Sequence, residues 1–298
     1  SRRSSPGLRV VLMYPEVGAF DEGLAGWTPD PSLQVLSCPL PVIGRLPFAA
    51  SDGRDLFHPL SVVTSRVGAR ACGLTGALPS GITAEVLHLL VFPVLDRAID
   101  LVLPRYVRHQ WDGLINRGIV YPLTRALYGQ RVEGQLGIDF GFSPRLLSTL
   151  ASPYVNRGAG RPIWLLTEAA ERGMPVGQAR VGAWLPPVEP LPDVSTALAQ
   201  ILGSLFDDME HHAAVWQRSR GSQPVATFGE ESGAPEEPRT VDTGAMVESF
   251  RIGLRNLQDV WGRVLPPGTL VELTRMARLA PDNFRMPDAL WARIVFDV

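Results

Sequence analysis

Within five positions, Arg108-His109-Gln110-Trp111-Asp112 offers a fixed cation, a titratable ring and a carboxylate. Arg108 and Asp112 stand four apart and share a face if the segment is helical. A guanidinium so placed binds a carboxylate or phosphate through two parallel hydrogen bonds. The alternatives are an ion pair between Arg108 and Asp112, or Asp112 capping the next helix. Asn116 extends the same face by one turn. A second candidate is Asp139, set in Gly137-Ile138-Asp139-Phe140-Gly141, a pattern that also suits a simple turn. His211 and His212 are adjacent on an amphipathic stretch; neighbours in a helix point about 100° apart, so they are not expected to share a metal. They read as a partly exposed pair, and Glu168 reads as a solvated surface acid. Arg125 and Tyr128 follow an apolar run and read as packing residues.

The elements that would position these groups alternate between strand and helix in the first part of the chain. Leu8–Met13 and Leu33–Leu36 are short apolar runs with strand character, the second the weaker. A helix over 51–68 is interrupted by Pro59. Ala69–Leu74 and Ile99–Leu103 are further strand candidates. Between them, Thr83 is a plausible N-cap, Glu85 suits the positive end of the helix, and a bend is expected at Pro93. A helix over 115–128 with a break near Pro122, a helix from Ile163 ended by Gly173, and a strand over Val176–Val181 complete an α/β pattern with a mostly parallel sheet.

The character changes near residue 190. Leu198, Ile201, Leu202, Leu205, Phe206, Met209 and Trp216 form one helical stripe, Met246, Phe250, Leu254, Leu257 and Trp261 a second, and Leu290, Trp291, Ile294 and Val295 a third. The aromatic residues among them read as core. Residues 219–242, rich in Gly, Pro, Ser and Glu, read as a mobile surface loop. The expected organisation is a sheet domain over 1–190 and a helical region over 191–298.

Composition narrows the function classes. Apolar residues make up 45% of the 298 and charged residues 19%, enough for a sizeable core. The formal charge of −2 provides no basic field for nucleic acid or an anionic membrane. Every basic residue is arginine, as a GC-rich coding bias would produce. Cys38 and Cys72 form neither a CxxC pair nor zinc spacing, which points to a reducing, cytoplasmic setting. Ser1–Gly7 lacks the pattern of a secretory signal. The most apolar stretch, Val86–Val102, carries Pro93, Asp96, Arg97 and Asp100, so no membrane span is expected.

Several segments together are distinctive: Tyr106–Gly113, Tyr121–Gly129, Gly137–Ser143, Ile163–Ala169 and the tail Trp291–Asp297. From about Leu8 to its end, the chain resembles the retaining GT-A glycosyltransferases related to mannosylglycerate and glucosylglycerate synthases, most specifically over Pro122–Gly129. The resemblance implies a GT-A, Rossmann-like sheet domain with a helical C-terminal extension. It implies transfer of a hexose from a nucleotide diphosphate sugar to a small carboxylate such as glycerate. A divalent metal held by an Asp-x-Asp motif and a downstream His would neutralise the departing diphosphate. On this likeness Arg108 would clamp the acceptor carboxylate, Asp112 would bind a hydroxyl, and His109 and Asn116 would share that acceptor site. Gly137 and Asp139 would shape a loop beside the sugar.

The chain departs from that pattern at the chemistry itself. No acid occurs from Ala71 to Ala84, where the Asp-x-Asp motif belongs. The early Asp-Gly-Gly-Ser loop reads Tyr14-Pro15-Glu16-Val17-Gly18. Pro162 stands for the Asp expected before Ile163-Trp164. No histidine lies between His109 and His211, and the Gly-Lys-Gly element reads Ile43-Gly44-Arg45-Leu46. An ion pair at 4 Å with an effective dielectric near 20 is worth about 4 kcal/mol, and about 1.4 kcal/mol is tenfold in rate, so losing the metal costs roughly a thousandfold. Arg45, the candidate nucleotide residue, or Arg180 would have to replace it.

The expectation is a pseudo-glycosyltransferase without a metal or other cofactor. It would keep a nucleotide-sugar or small-carboxylate ligand, or partner an active paralogue. One alternative is a metal-independent retaining glycosyltransferase; another is a structural scaffold that homodimerises through its tail.

Overall fold

In the computed structural model the described residues are 9–15, 33–38, 54–75, 83–107, 113–134, 136, 139–152, 163–183, 194–230 and 242–298. Five strands form the central sheet: β3 (Cys72–Leu74), β4 (Leu101–Val107), β6 (Phe140–Phe142), β7 (Val176–Ala183) and β9 (Ala226–Phe228), in the order β3-β6-β4-β7-β9. β4 runs parallel to β7 and β7 to β9, while β6 is antiparallel to both β3 and β4. The sheet is therefore mostly parallel and the class is α/β, as the alternating pattern predicts. β1 (Val10–Pro15) and β2 (Leu33–Cys38) pair parallel in a separate ladder, and β5 (Gln130–Arg131) pairs β8 (Gln223–Pro224) in another.

Apolar runs such as Leu101-Val102-Leu103 are buried on both faces because helices cover both sides of the sheet. Leu101 and Leu103 pack with Phe57 and Leu60 of α1 (Arg54–Arg66), Leu146, Leu147 and Leu150 of α4 (Pro144–Leu150), and Trp164–Leu166 of α5 (Trp164–Glu171). Val102, Ala179 and Val181 instead meet Leu90 and Val94 of α2 (Ala84–Arg97). The alternation of side chains along a strand assigns them to these two layers.

Local signals account for several boundaries. The Thr83 hydroxyl accepts from the Val86 N–H at 3.2 Å and starts α2, as expected of an N-cap. α2 continues through Pro93 and ends at Ala98, which sits in the left-handed region at φ 54°. A side chain with Cβ is strained there and glycine is not. Ala98→Gly is therefore expected to raise unfolding stability by about 0.5–1 kcal/mol, read from denaturant midpoints; a loss of stability would contradict this.

Residues 115–128 are helical, with a wide turn over Asn116–Val120 leading into α3 (Tyr121–Tyr128). Pro122 lies in the first turn of α3, where its missing N–H costs nothing. The segment after Ser219 corrects the loop expectation over its described part. Residues 223–224 and 226–228 are strands, and β9 adds to the sheet edge through its backbone, which needs no apolar pattern. The rest of that stretch, 231–241, lies outside the described residues. α6 (Val194–His211) buries Ile201 and Leu205, while Phe206 is exposed. α7 (Ala213–Trp216) follows it.

The chain divides into two compact units, Ser1–Pro235 and Glu236–Val298. The second contains α8 (Thr243–Asn256), α9 (Gln258–Val264), α10 (Pro267–Ala277) and α11 (Asp288–Asp297) around Leu254, Leu265, Leu273, Met276 and Leu290. Phe250, Trp261 and Ile294 of the expected stripes pack on this core, whereas Met246 and Leu257 are exposed. No helix among the described residues is long and apolar enough to cross a membrane.

Candidate functional site

In open α/β sheets ligands bind beyond the carboxyl ends of the parallel strands. Three chemistry-bearing groups meet at that end. Thr75 follows β3, Tyr106 lies near the end of β4, and Asp139 immediately precedes the antiparallel β6. The Thr75 hydroxyl donates to Asp139 Oδ1 at 2.6 Å, and the Tyr106 hydroxyl donates to Asp139 Oδ2 at 2.6 Å. Asp139 is buried. It is thus more than a turn residue: it ties two strand ends together through charge-assisted hydrogen bonds.

A second group lies along the paired strands β4 and β7, from Gln178 opposite Leu103 to Arg105 opposite Arg180. Arg105 Nε meets Glu133 Oε2 at 3.0 Å, and Asn116 Nδ2 donates to the Glu133 carbonyl at 2.7 Å. The Glu133 N–H donates to Gln178 Oε1 at 2.7 Å. The 130–134 segment is pressed against β4 so closely that a Cβ on Gly134 would lie 1.5 Å from the Pro104 carbonyl oxygen. Arg180 is the register partner of Arg105 and donates to the Gly229 carbonyl at 2.9 Å. Asn116 Oδ1 and Arg180 Nε are buried without a hydrogen-bond partner. Unpaired buried polar atoms are uncommon and call for an explanation.

Of the sequence candidates, Asn116 and Asp139 therefore sit at the expected end of the sheet. Arg45, Arg108, His109, Asp112 and Gly137 lie outside the described residues. Thr75, Arg105, Glu133 and Gln178 were not singled out by the sequence. Their signal was positional only: each stands within a few residues of the end of a strand or at the Gly134 approach.

Away from the strand ends, α5 and α6 enclose a buried ionic cluster, which corrects two expectations. Glu168 is not a solvated surface acid. It is 2% exposed, with Arg172 on Oε2 and His212 Nε2 3.4 Å from Oε1. His212 is not half of an exposed pair: it is buried, while His211 is exposed. The reason is that α5 is buried almost all round, so helical periodicity could not separate its inner from its outer face. Asp208 completes the cluster, accepting from the Tyr128 hydroxyl at 2.8 Å and the Thr167 hydroxyl at 2.6 Å. Tyr128 thus packs as expected and also carries a polar role. Burial pushes its hydroxyl well above the ordinary tyrosine range, and the Asp208 charge adds to this. For His212, burial acts to lower the pKa but is outweighed by the nearby carboxylates of Asp208 and Glu168 and by the Asp208 backbone carbonyl, so the ring is pushed up to about 10.

No family model matches the chain, and no curated protein matches it. Among solved structures it is similar to glucosyl-3-phosphoglycerate synthase from Mycobacterium tuberculosis. With the complex of that enzyme with Mn2+, UDP and phosphoglyceric acid it shares 19% identity, covering 70% of this chain and 80% of that one at a TM-score of 0.44. With the UDP complex the values are 17%, 70%, 83% and 0.46.

Proposed function

We propose that this chain is a GT-A-like relative of glycosyltransferases that keeps a ligand site at the carboxyl end of its sheet and has lost metal-assisted hexosyl transfer. The observation that carries this reading is the use of Asp139. Both its oxygens accept hydrogen bonds, from Thr75 and Tyr106, and Thr75 follows β3 where the lost acid pair belongs. Glu133, the other described carboxylate of the site, is engaged by Arg105. This donor set does not fit a divalent cation, which needs carboxylates free to turn their oxygens to the ion. No step of a reaction is therefore assigned to a metal at the strand ends.

In this reading Arg108, His109, Asp112 and Asn116 face a small carboxylate, and Arg45 and Arg180 serve a nucleotide diphosphate. The unpaired Arg180 Nε and Asn116 Oδ1 are groups that a polar ligand would satisfy after a modest side-chain shift. The sheet half over 1–190 carries the ligand. The helical tail serves a partner, either a second copy or an active paralogue.

The test is titration calorimetry with UDP, UDP-glucose, GDP- and ADP-sugars and phosphoglycerate, with and without manganese, alongside a transfer assay. Binding that ignores manganese, with no transfer, is the expected result. Manganese-dependent binding with turnover would overturn the reading. Manganese-independent turnover would establish the metal-free enzyme instead. Arg108→Ala is expected to abolish any thermal shift produced by phosphoglycerate.

A further inference from the structure

We propose that Glu168, Glu171 and His212 form a binding site for a zinc-like divalent cation between α5 and α6, separate from the strand ends. His212 Nε2 stands 3.4 Å from Glu168 Oε1 and 3.6 Å from Glu171 Oε2. These are long for hydrogen bonds, whose N···O distances centre near 2.9 Å. They match the edge of a tetrahedron about an ion with ligands at ~2.0–2.2 Å, which is roughly 3.3–3.6 Å. One donor atom from each residue falls within 4.8 Å of the others.

A second observation lies behind the ring. Asp208, 3% exposed, keeps Oδ1 buried without a hydrogen-bond partner, and that oxygen faces His212 Nδ1 at 3.3 Å. The Asp208 carbonyl oxygen is 2.9 Å from the same Nδ1. A carboxylate and a carbonyl on Nδ1 hold one proton there, so that when an ion displaces the proton on Nε2, the lone pair it uncovers points at the two glutamates. Metal-bound histidines are oriented in this way. The other oxygen of Asp208 is held by Tyr128 and Thr167, so the support is itself anchored.

Charge points the same way. Three carboxylates, Glu168, Glu171 and Asp208, face one arginine, Arg172, and one imidazole. Even a protonated ring leaves the cluster one negative charge in excess, whereas a divalent ion with a neutral ring brings it to zero. Arg172 binds Glu168 through Oε2 and leaves Oε1 facing the ring; its longer contact to Glu171 Oε2, at 3.3 Å, is to a partly exposed side chain that must turn from the guanidinium to reach an ion. Two carboxylates and one imidazole suit zinc, with a fourth position for water. Glu171 is partly exposed and provides the route in. The ion would clip α5 to α6.

The untagged full chain is titrated with zinc in a calorimeter, and cobalt is used as a spectroscopic substitute. One ion per chain is expected, with the strong visible absorption of four-coordinate cobalt. Glu171→Gln, at the exposed rim where folding is least at risk, is expected to weaken zinc at least tenfold and to remove the cobalt band. Asp139→Asn should leave zinc affinity unchanged, which separates this site from the strand-end ligand site. Absence of stoichiometric zinc binding, or unchanged affinity in Glu171→Gln, would overturn the proposal.

Discussion

Asp208→Ala is expected to destabilise the first unit by about 3–5 kcal/mol, seen as a fall of roughly 10 °C in thermal midpoint. The carboxylate accepts from Tyr128 and Thr167 and faces His212. Its removal leaves a buried phenol, a buried hydroxyl and a buried imidazolium without their acceptor, and each unmade interaction costs its desolvation. Asp208→Asn keeps the volume and removes the charge, so it separates the ionic part from the packing part.

The same cluster sets a pH dependence in metal-free protein. The folded His212 pKa, about 10, lies above its ordinary value of 6.5. The stabilising proton is then fully bound in both states below about 6.5, and its contribution is lost as pH rises through about 10. Metal-free wild type should lose stability over that window, and Asp208→Asn should flatten the loss. Equal slopes in the two proteins would show that Asp208 is not the group holding the proton.

Gly141→Ala is the second large effect, at about 3 kcal/mol. A Cβ at that position would sit 2.0 Å from the Leu90 carbonyl oxygen and 3.2 Å from Val102 Cβ. The obstruction is backbone of α2 rather than a flexible side-chain end, so helix and sheet must separate, which places the cost at the upper end of that for overpacked cores. Gly203→Ala on α6 is the control. Nothing lies within 4 Å of its added methyl, and a helical glycine replaced by alanine gains about 0.5–1 kcal/mol. Opposite signs at the two glycines, measured by denaturant midpoint, are the expected outcome; a neutral Gly141→Ala would mean that α2 does not press on β6.

What could be read from the chain alone was whatever depends on near neighbours. The Thr83 cap, the strand character of Leu101-Val102-Leu103 and the stripe through Ile201 and Leu205 all rest on spacings of a few residues, and the structure has each of them. The absence of any acid from Ala71 to Ala84 is equally a property of the sequence, since no fold can create a carboxylate there. The tertiary structure decided which polar groups face each other. Thr75 and Tyr106 stand 64 and 33 residues from Asp139 along the chain, and they meet it because β6 enters antiparallel between β3 and β4. Glu168 and His212 each carried a legible partner four residues away, Arg172 and Asp208, yet only the packing of α5 on α6 turned two ordinary helical pairs into one buried cluster. Burial is set by what the rest of the fold places over a residue, and it changes the worth of a charge more than any neighbour in sequence does.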